Sequence, residues 1–259
     1  MLHYQKHICS QIGLDGRDVA MTERYYAKCG QCRCKCWPEA TSDAMFERID
    51  ANAVVQRRRV VAGERVQLQG EPFKNVIAIC RGALRTSKTT PDGREQVTGI
   101  AMRGEFVGLD GLAQGIVEAD VVALSDAEVR VISFAAMEEI AREFPMFQRH
   151  IFRLMGTEME AKQRSQLELN HLPADGRVAS VLVRLSQPLL ERGHAQLEFE
   201  LPMTRIDLGS LVSLSPETVS RALTRMQEEG VLEVDGRQVR ILDHPALVRM
   251  ASTVAENSG

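Results

Sequence analysis

The chain has 259 residues, 44% of them hydrophobic, with 32 basic and 35 acidic side chains and a formal net charge of −3. That length holds two compact domains, and that charge balance gives no overall positive field to draw the chain onto nucleic acid or an acidic membrane. No apolar run approaches the ~20 residues of a membrane span and no signal-peptide pattern opens the sequence, so a cytoplasmic chain is expected, its six cysteines thiols or metal ligands rather than disulfides.

In chain order, the first feature is Cys29-Gly-Gln-Cys32-Arg-Cys34-Lys-Cys36-Trp-Pro, four thiols within eight residues. Two readings compete with unligated thiols: a tetrahedral zinc site and an iron–sulfur cluster, both held by thiolates. Lys28, Arg33 and Lys35 interleave with the thiols and would offset their negative charge. One loop supplies three convergent ligands comfortably, and a fourth from the same loop is sterically harder around a cubane, which leaves Cys80 and Cys9 as candidates from elsewhere in the chain. Cys80 also fits as a small buried hydrophobe at the end of Val76-Ile77-Ala78-Ile79. The six histidines are scattered and form no metal-binding pair.

From Val54 to about Ser133 short β-rich runs alternate with glycines. These are 76–79, 96–100, 121–124 and 128–132, with Pro91-Asp92-Gly93 a turn whose proline presets φ and whose glycine supplies a positive φ. Such spacing predicts a rolled or closed antiparallel β-domain. A long helix is predicted from about Phe147 to Asn170, where Phe152, Met155, Met159, Lys162 and Gln166 recur at alternating spacings of three and four, as in a coiled-coil seam. This seam predicts a homodimer, and Lys162 within it sets two ammonium groups against each other. Asn170-His171-Leu172-Pro173 reads as a hinge, and 174–191 as a further helix.

The C-terminal part carries the chemistry. Thr204 caps a short amphipathic helix over 205–212, and Ser213-Leu214 makes a tight connection. Ser215 then caps a second helix with Pro216 at its first position, where a missing N–H costs nothing. Glu217, Ser220 and Arg221 follow at i, i+3 and i+4 and share a face, opposite Val219, Leu223 and Met226. A carboxylate able to accept from cytosine N4, beside an arginine able to pair with guanine O6 and N7, suits the major groove. Gly230 ends this helix, and Asp235-Gly236 between two β-rich runs signals a hairpin. Helix, turn, helix and hairpin in that order predict a winged helix-turn-helix, with Glu217, Ser220, Arg221, Thr204 and Arg205 as its DNA-binding residues. With net charge −3, affinity for DNA must come from locally placed arginines (205, 221, 225 and 237) and from pairing on a two-fold site.

A cysteine-rich N-terminus, a β-roll, a long helix, and the motifs Met203-Thr-Arg-x-Asp-Leu-Gly209 and Glu217-Thr-Val-Ser-Arg221 together resemble the cyclic-AMP receptor/FNR superfamily over about residues 29–250. The likeness is strongest to its oxygen-sensing FNR branch. The resemblance implies an α+β fold: a cysteine-rich segment (1–41), a cyclic-nucleotide-binding-like jelly-roll domain (42–144), a dimerisation helix and hinge (145–171), and a winged helix-turn-helix (172–259). It implies a homodimeric activator, not an enzyme, that binds TTGAT-type inverted repeats, with Glu217, Ser220 and Arg221 on bases and loop 92–95 touching RNA polymerase. It implies further an oxygen-labile [4Fe-4S] cluster on Cys29, Cys32 and Cys36, since Cys36-Trp-Pro38 matches the family's third ligand. The family's β-roll ligand is replaced here by Arg130, which leaves Cys80 as the choice for the fourth and Cys34 or Cys9 as substitutes. Where the family binds cyclic nucleotide with a glutamate and an Arg-Ser pair, this chain has Leu109 and Glu118-Ala119, so no cyclic nucleotide is expected. The alternative is a regulator of the same fold whose cysteines form a zinc site or a thiol switch, or one that is constitutive.

Overall fold

The computed structural model describes residues 55–191 and 197–252. Its first half is a roll of two four-stranded antiparallel sheets. One sheet runs in the order β1 (Val55–Val60), β8 (Ala127–Ser133), β3 (Asn75–Arg81), β6 (Phe106–Val107). The other runs β2 (Arg65–Gln67), β7 (Asp120–Ala123), β4 (Ala83–Thr89), β5 (Glu95–Met102). Strand β3 is apolar on both faces because both are covered: Ile77 and Ile79 enter the roll with Leu84, Val121 and Val129, while Val76 and Ala78 face outward under helices. The step from β3 to β4 requires Gly82. Its φ is +82°, and a Cβ there would sit 2.6 Å from the Cβ of Ala127.

Helices α1 (Phe134–Glu143) and α2 (Pro145–His171) close the outer face of the first sheet, with Met137, Ile140 and Phe147 buried against Val76, Ala78 and Ile132. This side of α2 stays on the roll as far as Ile151 and Met155, whereas Phe152 and Met159, each 62% exposed, lie on its uncovered side.

The second half begins with α3 (Ala174–Glu191) and continues through β9 (Leu197–Glu200), α4 (Arg205–Val212), α5 (Pro216–Glu228), the hairpin β10 (Leu232–Asp235) and β11 (Gln238–Ile241), and α6 (His244–Met250). Strand β9 pairs with β11, so the wing is a three-stranded sheet. Val178, Leu182, Leu208, Val219, Leu223, Met226, Val239 and Leu247 form its core. Ile100 of β5 belongs to the same core, with Met102 and Leu124 packed alongside. Polar contacts follow that seam: the Val97 N–H donates to Ser210 Oγ at 2.9 Å, Gln96 Nε2 donates to the Ser210 carbonyl, and Arg184 donates to the Ile100 carbonyl at 2.6 Å. The roll therefore grips α4 and α3 directly.

Candidate nucleic-acid interface

Helix α5 starts where its sequence dictates. The Ser215 hydroxyl accepts from the Thr218 N–H at 3.2 Å, and Pro216 occupies the first turn. Val219, Ala222, Leu223 and Met226 are buried, which leaves Glu217, Arg221 and Thr224 exposed along the opposite face. Helix α4 buttresses it through a reciprocal cap: Thr204 Oγ1 accepts from the Asp207 N–H at 3.1 Å and the Asp207 carboxylate accepts from the Thr204 N–H at 3.1 Å. Ser213 takes the left-handed conformation, φ 56°, to reverse the chain between the two helices. Replacing Ser215 with alanine should cost about 1 kcal/mol through loss of this cap. Thermal melting of the variant checks it.

The side chains on this face are organised before any ligand arrives. Arg221 Nη2 donates to Thr218 Oγ1 at 3.0 Å, so one turn of helix steadies the guanidinium. The Glu217 carboxyl is held below its usual range, first by its own backbone N–H and then by the Ser215 hydroxyl, so it is an acceptor at neutral pH. The arrangement offers a fixed anion and a fixed cation side by side on one exposed helical face.

The other residues singled out in the sequence are placed differently. Ser220 is half-buried, its hydroxyl donating to the Pro216 carbonyl at 2.9 Å and accepting from Arg205 Nη1 at 3.0 Å. Its proton is therefore already engaged, and Ser220 links α4 to α5. The Thr204 hydroxyl is occupied in its cap. Of the further arginines, Arg237 donates from Nε and Nη2 to the Leu201 carbonyl, and Arg225 forms a two-pronged pair with Asp175 on α3. Neither pairing has a signal in the sequence, since the partners lie 36 and 50 residues apart.

On α2, Phe152, Met159, Lys162 and Gln166 are exposed, whereas Met155 is half-buried against its own roll. Lys162 pairs with Glu158 at 3.2 Å, one turn earlier. Cys80 is half-buried on the outer face of β3, among residues packed on Val76, Ala78 and Phe147. Arg130, buried on β8, stands in register with Ala78, on the face against which Cys80 also packs. Cys9, Cys29, Cys32, Cys34 and Cys36 lie outside the described residues. Among the described residues no three His, Cys, Asp or Glu side chains converge as a metal site, and no helix is long and apolar enough to cross a membrane. Glu118 pairs with Lys88 at 2.8 Å.

Comparison with known proteins agrees with this architecture. Residues 57–144 match the cyclic nucleotide-binding domain family and residues 176–250 the Crp-like helix-turn-helix domain. The chain is 35% identical to the transcriptional activator protein FnrA of Stutzerimonas stutzeri over 227 residues, covering 87% of this chain and 93% of that one. It is 30% identical to the fumarate and nitrate reduction regulatory protein of Escherichia coli K12, covering 83% and 86%. The structure of FixK2 from Bradyrhizobium japonicum superimposes with a TM-score of 0.69 at 27% identity, covering 78% of this chain and all of that one. With these relatives and this helix-turn-helix, the chain belongs to the FNR-like branch of the CRP/FNR superfamily of DNA-binding transcription regulators.

Proposed function

We propose that this regulator binds TTGAT-type inverted repeats as a cytoplasmic homodimer and that an oxygen-labile [4Fe-4S] cluster gates its pairing. The observation that carries the DNA reading is the exposed Glu217–Arg221 face, steadied by Ser215 and Thr218. Inserted in the major groove, Glu217 accepts from a cytosine amine and Arg221 donates to guanine O6 and N7. Arg205 contributes from α4, held in place by Ser220. Two such helices on a two-fold dimer lie about one helical turn apart, ~34 Å. Loop 92–95 contacts RNA polymerase in the activating complex.

Phe152, Met155, Met159, Lys162 and Gln166 form the pairing seam of α2, with Phe152 and Met159 exposed and Met155 half-buried. The two Lys162 ammonium groups oppose association, and their bonds to Glu158 moderate the repulsion. Lys162→Leu should therefore pair in air as well as without it; sedimentation under both conditions checks this.

Cys29, Cys32, Cys36 and Cys80 would hold the cluster, with Cys34 or Cys9 as substitutes. Cys80 fits the donor set because it lies on the sheet face that also carries Arg130, the position where the family has its own β-roll ligand. The chemistry the cluster supplies is loss on oxidation. A carboxylate at Glu118, paired with Lys88, and an apolar Leu109 disfavour a cyclic nucleotide in the roll. Anaerobic protein assayed for iron, acid-labile sulfide and zinc tests the reading. Iron with sulfide in equal amounts, reduced in Cys80→Ser, supports it; zinc, or no metal, supports a structural site or a thiol switch instead.

A further inference from the structure

Arg225 lies one turn beyond Arg221 on α5, at the edge of the exposed face, where a cation would serve the DNA backbone. It is engaged elsewhere. Its Nε donates to Asp175 Oδ2 at 2.7 Å and its Nη2 donates to Oδ1, fork against fork. Asp175 is in the first turn of α3, two residues after the hinge proline Pro173, and belongs to neither helix of the helix-turn-helix. The two side chains keep 44% and 26% of their surface exposed, so the pair is open to a competing anion and adds little to folding stability. A carboxylate offering two oxygens to a guanidinium takes the place and geometry of a phosphate.

We infer that Asp175 is an internal stand-in for DNA phosphate, which withholds Arg225 from the backbone and so limits the sequence-independent part of binding. This rests on α5 entering the groove, as proposed above. The phosphate contacts of a regulator raise its affinity for every duplex alike, and a genome offers far more wrong sites than operators. A chain of net charge −3 that also occupies one of its groove arginines keeps that background low.

The test measures binding of full-length, anaerobically prepared protein to an operator duplex and to a scrambled duplex of equal length, across 50–200 mM salt. Asp175→Ala should tighten binding to both duplexes and steepen the logarithmic salt dependence by about 0.9 per bound subunit, equivalent to roughly threefold across that range. Asp175→Glu, which keeps the carboxylate, should behave as the original. In an Arg225→Ala background the change at Asp175 should leave the slope unaltered. An unchanged slope in Asp175→Ala, or an equal gain with and without Arg225, would overturn the inference: the pair would then be a strut, or Asp175 a bare repulsive charge. An Arg221→Ala arm separates the two levels. If that variant keeps full operator preference, the groove reading falls and this inference with it; if it loses preference while Asp175→Ala shows no slope change, only the inference falls.

Discussion

Arg221→Ala should lower operator affinity by roughly fivefold to a hundredfold for each half-site and relax the preference at a single base pair in each, as the loss of one bidentate guanine contact per subunit does. Magnitude alone does not distinguish reading from anchoring; the pattern does. A guanidinium on phosphate would weaken all sequences equally and flatten the salt dependence by about one unit, whereas one on a base edge changes which base is preferred. Thr218 sharpens the case, because its hydroxyl holds Arg221 at 3.0 Å before DNA arrives. Thr218→Val should show a weaker form of the same relaxed specificity. Binding isotherms on a set of duplexes substituted at each half-site position check both variants.

Gly209→Val should abolish operator binding while leaving the β-roll folded. A Cβ at this position of α4 would lie 2.6 Å from the Leu214 carbonyl oxygen and 3.5 Å from the Pro216 nitrogen, both backbone atoms of the turn into α5. Neither can yield alone, since the Leu214 N–H is itself bonded to the Gly209 carbonyl at 2.9 Å. A valine gains a few tenths of a kcal/mol in helix propensity over glycine, against about 1–3 kcal/mol, sometimes more, for overpacking at a rigid contact. The clash wins, and the chain relieves it by opening the angle between α4 and α5. That angle sets where Glu217 and Arg221 point, so DNA binding is lost before the fold is. Circular dichroism melting together with fluorescence anisotropy separates the two effects: a variant that unfolds throughout, or one that binds normally, contradicts this account.

The helix-turn-helix was legible because its signals are local. Ser215-Pro216 fixes the start of α5, Gly230 follows its end with a φ of +69°, and Asp235-Gly236 makes the wing turn with a φ of +59° at Gly236. The 76–79 and 128–132 runs were legible as strands for the same reason, since each is a short β-branched stretch bounded by turns. What stayed hidden depends on distant partners. Strand β1 carries Arg57-Arg58-Arg59 and has no apolar alternation to mark it as a strand, yet it pairs with β8 along its whole length and Arg57 meets Glu128 at 2.6 Å. Helix α1 presents only Met137 and Ile140 as buried residues, too short a stripe to announce itself. Strand β9, Leu-Glu-Phe-Glu, alternates as an edge strand should, but nothing local indicates that it joins the wing.

Site residues divide along the same line. Glu217 and Arg221 were placed correctly on an exposed face by spacing alone. The hydrogen bonds of Ser220 were not legible in this way, because one of them comes from Arg205 across the turn. Spacing alone did not show that Met155 also packs against its own roll. Arg130 comes to the face of Ala78 through the register of β3 with β8, and Cys80 packs with that face at the irregularity that follows Ile79.

The central claim is that a thiolate-held iron–sulfur cluster governs DNA occupancy. Its most direct test is anisotropy of a labelled TTGAT-repeat duplex titrated with one anaerobic preparation, divided and read before and after exposure to air, with visible absorbance recorded on the same samples. The account predicts a coloured protein whose absorbance bleaches as operator affinity falls by at least tenfold and dimers separate. A colourless preparation that binds the duplex with the same affinity and the same subunit pairing in both halves would contradict it.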